Sequence, residues 1–375
     1  MSYFFVGAFS DPNLPEFRGS AAGAKVQLEI IDALETKFGK GECFIMPEVP
    51  SWPRGRLFVP PSVDGKVRYL PIINLFFLKK PFFFMLLFLY FARFRPSLTF
   101  HYNASISGQI FSLLSRAFSS KSVLILQDVH CDPGFSFPVL FNPKRFLGFI
   151  DSKLLPVSFD FYVPITESCV FDFDLPATRC HVFSGAVLTT YLQESQRYLR
   201  MPLEDFSVFA GALEEYNGVD ILVKSWPSPG ILEHRLHIFG GGSLEPLVRE
   251  MAIKNNNIVF YGFSPPELVR DHASRASFNF CLRYSRGLNQ SYFFPSKFFD
   301  LICFNGILVC NRFLNIPEGF DPYLEYIDEE LEGLIDILKS DPVKSDHACD
   351  SKFEFLAENH TWVGLFDFIS VKFNL

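Results

Sequence analysis

Apolar residues in this chain fall into short runs separated by stretches of helical spacing, the pattern of alternating strands and helices. In the first half, Ser2–Phe9 reads as a strand, followed by a loop containing Pro12, Pro15, Gly19 and Gly23. Ala24–Phe38 then puts Val26, Ile30, Ala33 and Leu34 on one helical stripe. Leu98–His101 predicts a strand, Ser107–Phe118 a helix, and Ser122–Leu126 and Tyr162–Ile165 two further strands. The second half repeats the alternation more regularly. Strands Ser207–Ala210, Arg235–Phe239, Ile258–Tyr261 and Ser277–Leu282 each run into a glycine-bearing loop, with helices expected over Val219–Ser225, Leu244–Met251 and Pro266–Ala273. A fifth unit starts at Ser296 and ends in the apolar run Ile307–Val309, so a doubly wound parallel sheet is expected.

Two segments break the alternation. Pro81–Ala92 (PFFFMLLFLYFA) carries no charge, with Lys79-Lys80 before it and Arg93 and Arg95 after it. Its 12 residues are too few for a spanning helix, which needs about 20. It reads either as a buried helix of the first domain or as an interfacial helix with its cations at lipid headgroups. The acidic run Glu325–Glu332 reads as a solvated helix face.

Composition narrows the class. A chain of 375 residues, 49% hydrophobic and 20% charged, suggests two domains with buried cores and excludes a disordered protein. Forty-seven phenylalanines supply core bulk and raise the prospect of an apolar docking patch. A net charge of -7 argues against a broad nucleic-acid surface. The eight cysteines show no CxxC pair and no zinc-like spacing, so reduced, buried thiols in a cytosolic protein are expected. Tyr3-Phe4-Phe5-Val6 has no basic flank and reads as a strand rather than a leader.

The richest chemistry lies in Phe294-Pro295-Ser296-Lys297-Phe298-Phe299-Asp300. Pro295 and Ser296 read as a helix start, with the serine hydroxyl expected to satisfy an orphan amide. Lys297 and Asp300 share one face of the first turn. A helix start favours phosphate, a lysine adds charge, and a carboxylate one turn on suits ribose hydroxyls. Together they outline a nucleotide-diphosphate site. Gly240-Gly241-Gly242 reads as a tight turn, since no Lys-Ser/Thr follows to make a phosphate loop. Asp172-Phe173-Asp174 resembles a metal-holding DxD, but its acids alternate with an aromatic just before Leu175-Pro176, and a loop or edge segment is expected instead.

VFAGALEEYNGVDILVKSW, LHIFGGG, NIVFYGFSPPELVRDHASRASFNFCL and FFPSKFFDLICFNGILVCN, in that order from Ser207 to Arg312, resemble the second domain of the GT-B-fold glycosyltransferases. The nearest likeness is to the retaining, nucleotide-sugar-dependent, group 1-like enzymes of bacterial surface glycans. GSAAGAKVQLEII and ARFRPSLTFHYN look like that family's first-domain glycine loop and its passage into the cleft. The resemblance implies two Rossmann-like α/β domains facing each other across a cleft: residues 1–198 on the acceptor side, residues 199–351 binding the donor, and residues 352–375 a helix packing back on the first domain. The junction near Tyr198–Glu204 contains Pro202.

By the same resemblance, Gly211 marks the turn where backbone amides approach the phosphates, and Ser296 and Lys297 meet the diphosphate. Asp300 takes the place of a ribose-binding glutamate, and the backbone at Gly262 and Phe263 reads the base. Gly19, Ser20 and Gly23 form the acceptor-side loop, and His130 or Asp128 contacts the donor sugar. His130, Asp128 and Lys297 are the catalytic candidates. Three positions depart from the family. Ala212 and Asn217 stand where many relatives have arginine and lysine, leaving Arg283, Arg286 and Lys297 as cations for the leaving group. Tyr292, eight residues before Asp300, breaks the family's paired-glutamate spacing.

The expected activity is therefore transfer of a sugar, with retention, from a nucleotide-diphosphate sugar to a saccharide or lipid-linked saccharide. The expected enzyme needs no metal or other cofactor and binds no nucleic acid. It sits in the cytoplasm, with peripheral contact to the inner membrane through Pro81–Ala92. A non-catalytic binding subunit on the same fold, and a sugar-nucleotide epimerase or hydrolase, are the alternatives.

Overall fold

The strand–helix alternation becomes two parallel sheets, one in each of two compact units. A computed structural model describes residues 2–14, 21–129, 143–194, 197, 201–284, 290–341 and 346–374. Unit 1 comprises residues 1–184 and 362–375, and unit 2 residues 185–361.

Unit 1 runs β1 (Tyr3–Phe9), α1 (Ala21–Phe38), β2 (Glu42–Pro47), β3 (Phe58–Val59), β4 (Ser62–Asp64), β5 (Val67–Tyr69), β6 (Ile72–Ile73), α2 (Lys79–Phe94), β7 (Leu98–Tyr102), α3 (Ile106–Arg116), β8 (Lys121–Leu126), α4 (Pro143–Ser158), β9 (Phe161–Pro164) and α5 (Glu167–Asp172). Its main sheet has the order β4-β5-β2-β1-β7-β8-β9, parallel except for β4 against β5, and β3 pairs antiparallel with β6. Phenylalanine fills its core: Phe4 on β1 meets Phe44 on β2 edge-on at 4.8 Å, and Phe91 of α2 packs on Phe4 and Phe111. Such T-shaped pairs place a ring's positive edge on its neighbour's negative face. The Pro81–Ala92 run is the body of α2. Among the described residues no helix is long and apolar enough to cross a membrane.

Unit 2 runs α6 (Thr189–Gln193), β10 (Glu204–Ala210), α7 (Val219–Ser225), β11 (Arg235–Phe239), α8 (Glu245–Lys254), β12 (Ile258–Gly262), α9 (Pro266–Arg275), β13 (Ala276–Phe280), α10 (Lys297–Leu301), β14 (Ile307–Cys310), β15 (Leu324–Tyr326), α11 (Leu334–Lys339) and α12 (Asp346–Asn359). The sheet is parallel throughout, in the order β12-β11-β10-β13-β14-β15. Strand order therefore reverses between β10 and β13, the switch point where open α/β sheets bind ligands at the carboxyl ends of their strands.

Three local expectations change. The acidic run is no helix: Leu324–Tyr326 adds β15 beside β14, and Leu324, Ile327 and Leu331 are buried. Its acids mark the exposed side of a sheet edge and the turn after it. Unit 2 begins at Gly185 rather than at 199, because Val187 N–H donates to His360 O (2.9 Å) and Tyr191 packs on Phe304. The C-terminal stretch is two helices rather than one. Lys352 of α12 donates to Phe304 O (2.6 Å) within unit 2, whereas Phe366 of the terminal helix Trp362–Phe373 packs on Phe100 and Phe38 of unit 1.

Candidate functional site

At the switch point β10 ends in Gly211, with φ of 145°, and its N–H donates to Phe239 O at 3.0 Å. Gly240, ending β11 with φ of 132°, lies so close that a Cβ there would sit 1.9 Å from Gly211 O. Only glycine fits both demands. A Cβ on Gly211 would lie 3.6 Å from Cδ of Lys297, so the lysine stem runs past this bare backbone. Lys297 Nζ ends 4.6 Å from the centre of the Phe209 ring, buried and without a hydrogen-bond partner among the described residues. Burial pushes its pKa down, against the pull of the Cys281 and Cys310 thiols.

Those thiols follow one another across β13 and β14, and both are buried. Burial raises Cys310 well above its usual range. In Cys281 burial is outweighed by the Cys310 thiol and the Lys297 ammonium, and its pKa falls.

Arg283 comes from the loop after β13. Its N–H donates to Asn311 Oδ1 (2.7 Å), Asn311 donates back to Arg283 O, and the guanidinium lies 4.8 Å over the Tyr216 ring. Burial lowers its pKa. Lys297 and Arg283 thus bring two desolvated cations to the ends of β10 and β13. Asn311 was invisible as a site residue, since its partner lies 28 residues away.

The start of α10 differs from expectation. Ser296 makes no side-chain cap, is exposed, and has helical rather than extended backbone. Phe298 N–H is taken by Pro295 O at 2.9 Å. The helix is one turn long, so the dipole contributes little and the lysine carries the positive charge. Asp300 lies half-buried on that turn. Gly262 (φ 72°) accepts from Gly240 N–H (2.9 Å), and Phe263 beside it is 93% exposed. Ala212 is exposed, and Asn217 donates to Ala212 O at 2.8 Å, closing the loop at the two positions where the resemblance implies cations. In the Gly240–Gly242 turn, the Glu214 carboxylate accepts from Ser243 N–H (2.9 Å) and its hydroxyl, so a carboxylate already takes those donors.

Unit 1 has a pocket of about 340 Å³ at the carboxyl ends of β1, β7 and β8. Gly7, Gly23, Gln27, Lys79, Asn103 and Asp128 are among its lining. Gln27 clamps the end of β1, accepting from Ala8 N–H (2.9 Å) and donating to Ala8 O (2.7 Å). Asn103, at φ 60°, accepts from Gln127 and Asp128 N–H (2.9 Å each) and donates to the Asp128 carboxylate (3.1 Å). Lys79 donates to Val49 O (2.9 Å), with its pKa lowered by burial. Gly19, Ser20, His130 and Arg286 lie outside the described residues. Asp128 and Gly23 therefore meet in unit 1, while Gly211, Lys297 and Arg283 meet in unit 2. Gln27, Lys79 and Asn103 were missed as site residues, although Gln27 and Asn103 lie inside the two first-half stretches that carry the family resemblance.

No protein-family model matches the chain, and no curated protein matches it in sequence. Solved structures match nearly all of it. Sucrose-phosphate synthase from Thermosynechococcus elongatus aligns with a TM-score of 0.65 at 12% identity, over 99% of this chain and 98% of that one. A UDP-forming α,α-trehalose-phosphate synthase from Burkholderia xenovorans gives 0.63 at 11% identity, over 99% and 98%. WaaG, a glycosyltransferase involved in lipopolysaccharide biosynthesis, gives 0.61 at 10% identity, over 99% of each chain. Likeness at this identity establishes the fold, which is that of the GT-B glycosyltransferases.

Proposed function

We propose that this protein transfers a glycosyl group from a nucleotide-diphosphate sugar to a saccharide or lipid-linked saccharide, with retention at the sugar carbon. One observation carries the reading: the Lys297 ammonium is buried at the switch point, against Gly211, with no hydrogen-bond partner among the described residues. An unpaired buried cation costs several kcal/mol, and a diphosphate is the ligand that offsets that cost at this place in such a sheet. Arg283 supplies the second charge, and the backbone at Gly211 offers the close approach that phosphate oxygens require.

In the reaction the bond from the sugar carbon to the diphosphate oxygen breaks and one to the acceptor oxygen forms. Charge builds on the leaving diphosphate, where Lys297 and Arg283 act as fixed countercharges in a water-poor site. The acceptor proton passes to the departing phosphate oxygen, so no side-chain base is obligatory. Asp300 suits the ribose hydroxyls, and the Gly262–Phe263 backbone suits the base edge. Asp128, held by Asn103, suits a sugar hydroxyl in unit 1. These assignments need no metal.

A second reading has its own support. Asn217 ties itself to Ala212 O at the two positions where the resemblance implies cations, which suits a binding subunit with a reduced phosphate clamp. The deciding experiment is thermal shift with UDP, GDP, ADP and dTDP, followed by mass spectrometry of products from the matching nucleotide sugars. UDP comes first because one structural neighbour is UDP-forming. Binding with transfer supports the enzyme, binding without turnover supports the subunit, and no shift with any of the four removes both.

A further inference from the structure

Helix α2 is apolar all round, yet the fold covers only one side of it. Phe83, Leu87 and Phe91 are buried, whereas Leu78 just before the helix, Met85 and Leu89 on the opposite stripe are exposed, Leu89 by 62%. A helix without a polar face is ordinarily enclosed on every side. Its neighbour α3 packs against it through Phe111 and likewise turns Ile110, Leu113 and Leu114 outward. Phe76 and Phe77, stacked edge-on at 4.8 Å ahead of α2, are more than half exposed. Exposed apolar side chains thus run along two helices that pack on each other and along the turn leading into the first.

Charge identifies what covers it. From Gly65 through Gln127 the chain has no aspartate or glutamate, although 41 occur among its 375 residues. Lys80 stands exposed at one end of α2, and Arg93 and Arg95 stand exposed at the other. Arg93 lies 5.9 Å from the centre of the Phe94 ring, and Arg95 5.9 Å from that of Phe118. The acids that approach α2 from neighbouring elements lie at its first turn or are engaged elsewhere: Glu48 faces Lys79, Asp151 faces Lys80 and accepts from Gln109, and Asp160 pairs with Arg116, which leaves Arg93 and Arg95 as the exposed cations of the far end. In a two-fold dimer this face would meet itself, setting cation against cation with no carboxylate of the segment to separate them. An anionic surface has no such conflict.

We propose that the outer face of α2 and α3 docks on a bilayer containing anionic lipid. The helices would lie in the headgroup plane, apolar stripe inward and Arg93 and Arg95 at the phosphates. This inference does not rest on the transferase reading, since its test uses neither donor nor acceptor.

The test is co-sedimentation of the full chain with vesicles of phosphatidylcholine alone and of phosphatidylcholine with phosphatidylglycerol. Binding is expected only to the anionic vesicles, weakening as salt rises. Arg93→Gln should reduce partitioning about fivefold, the effect of one basic charge near such a surface. Met85→Asp with Leu89→Asp should abolish it without lowering the melting temperature, because both sites are exposed. The proposal is overturned by absence from the anionic pellet, or by equal binding to both vesicle types. A lipid-free dimer that Leu89→Asp dissociates would overturn it too, showing that a second copy covers the face.

Discussion

Gly211 and Lys297 meet at the switch point of the unit 2 sheet: a Cβ on the glycine would lie 3.6 Å from Cδ of the lysine, whose ammonium continues to 4.6 Å from the Phe209 ring centre. The charge has a ring and two thiols beside it but no hydrogen-bond partner among the described residues. Lys297→Met keeps the stem and removes the charge, so the apo protein should melt at the same temperature or higher, since an uncompensated buried charge is lost. Stabilisation by nucleoside diphosphate, about 2.7 kcal/mol at 100 times the dissociation constant in the parent, should vanish at the same concentration. A drop in apo stability together with retained nucleotide binding would show that Lys297 is structural.

Gly211 and Gly240 should respond unequally to alanine. At Gly211 a Cβ finds ordinary van der Waals space and pays only for the positive φ, roughly 1–2 kcal/mol. At Gly240 it would strike Gly211 O at 1.9 Å, so β10 and β11 must part and the cost should exceed about 3 kcal/mol. Urea unfolding followed by a probe in unit 2 would rank them, and equal midpoints would contradict the packing described.

Much of this arrangement was legible in the sequence. Val219–Ser225 and Arg235–Phe239 were read to the residue because left-handed glycines, Gly218 and Gly240, bound them. Lys297 was legible as a cation near the site, but not as a buried one. Its burial depends on the bare backbone of Gly211, 86 positions earlier, and on the Phe209 ring. β15 was hidden because Glu325 and the exposed acids just after the strand resemble a solvated helix until β14 is there to pair with it. Gln27, Asn103 and Asn311 escaped for a related reason: each is an ordinary polar residue whose role lies in backbone groups 19 to 28 positions away.

Acid should destabilise the fold below about pH 6.5. His101, His237 and His360 are held neutral by burial, with pKa values down to about 3, 4 and 4 from 6.5. Their stabilisation is complete above 6.5. As pH falls, the unfolded chain takes up protons that the folded chain refuses, at up to about 1.4 kcal/mol per pH unit per histidine. Asp151 acts in the opposite sense: burial raises it to about 6 from 3.8, so its contribution is complete below 3.8 and lost as pH rises through 6. Three groups outweigh one, and the melting temperature should fall from pH 6.5 to 4.5. His101→Phe should flatten that slope by about one proton's worth, because the ring sits between Phe111 and Phe159 with Nε2 unpartnered among the described residues. An unchanged slope would show that His101 is protonated in the fold.

Gly262 and Phe263 separate recognition by backbone from recognition by ring. Phe263 is 93% exposed, so Phe263→Ala should leave the melting temperature unchanged. If the base is read by backbone groups of this loop, nucleotide affinity should change less than about twofold, far below the 1–3 kcal/mol that a stacked base contributes. Gly262→Ala imposes a side chain at φ 72° on the residue whose carbonyl receives Gly240 N–H, so it should weaken nucleotide binding by about 1 kcal/mol or more. Isothermal titration of both variants with UDP and ADP gives the comparison. If Phe263→Ala loses tenfold in affinity while Gly262→Ala binds normally, the ring reads the base and the backbone assignment fails. If the alanine in place of Gly262 also changes the preference between UDP and ADP, the loop carries base selectivity through the geometry of its peptide groups.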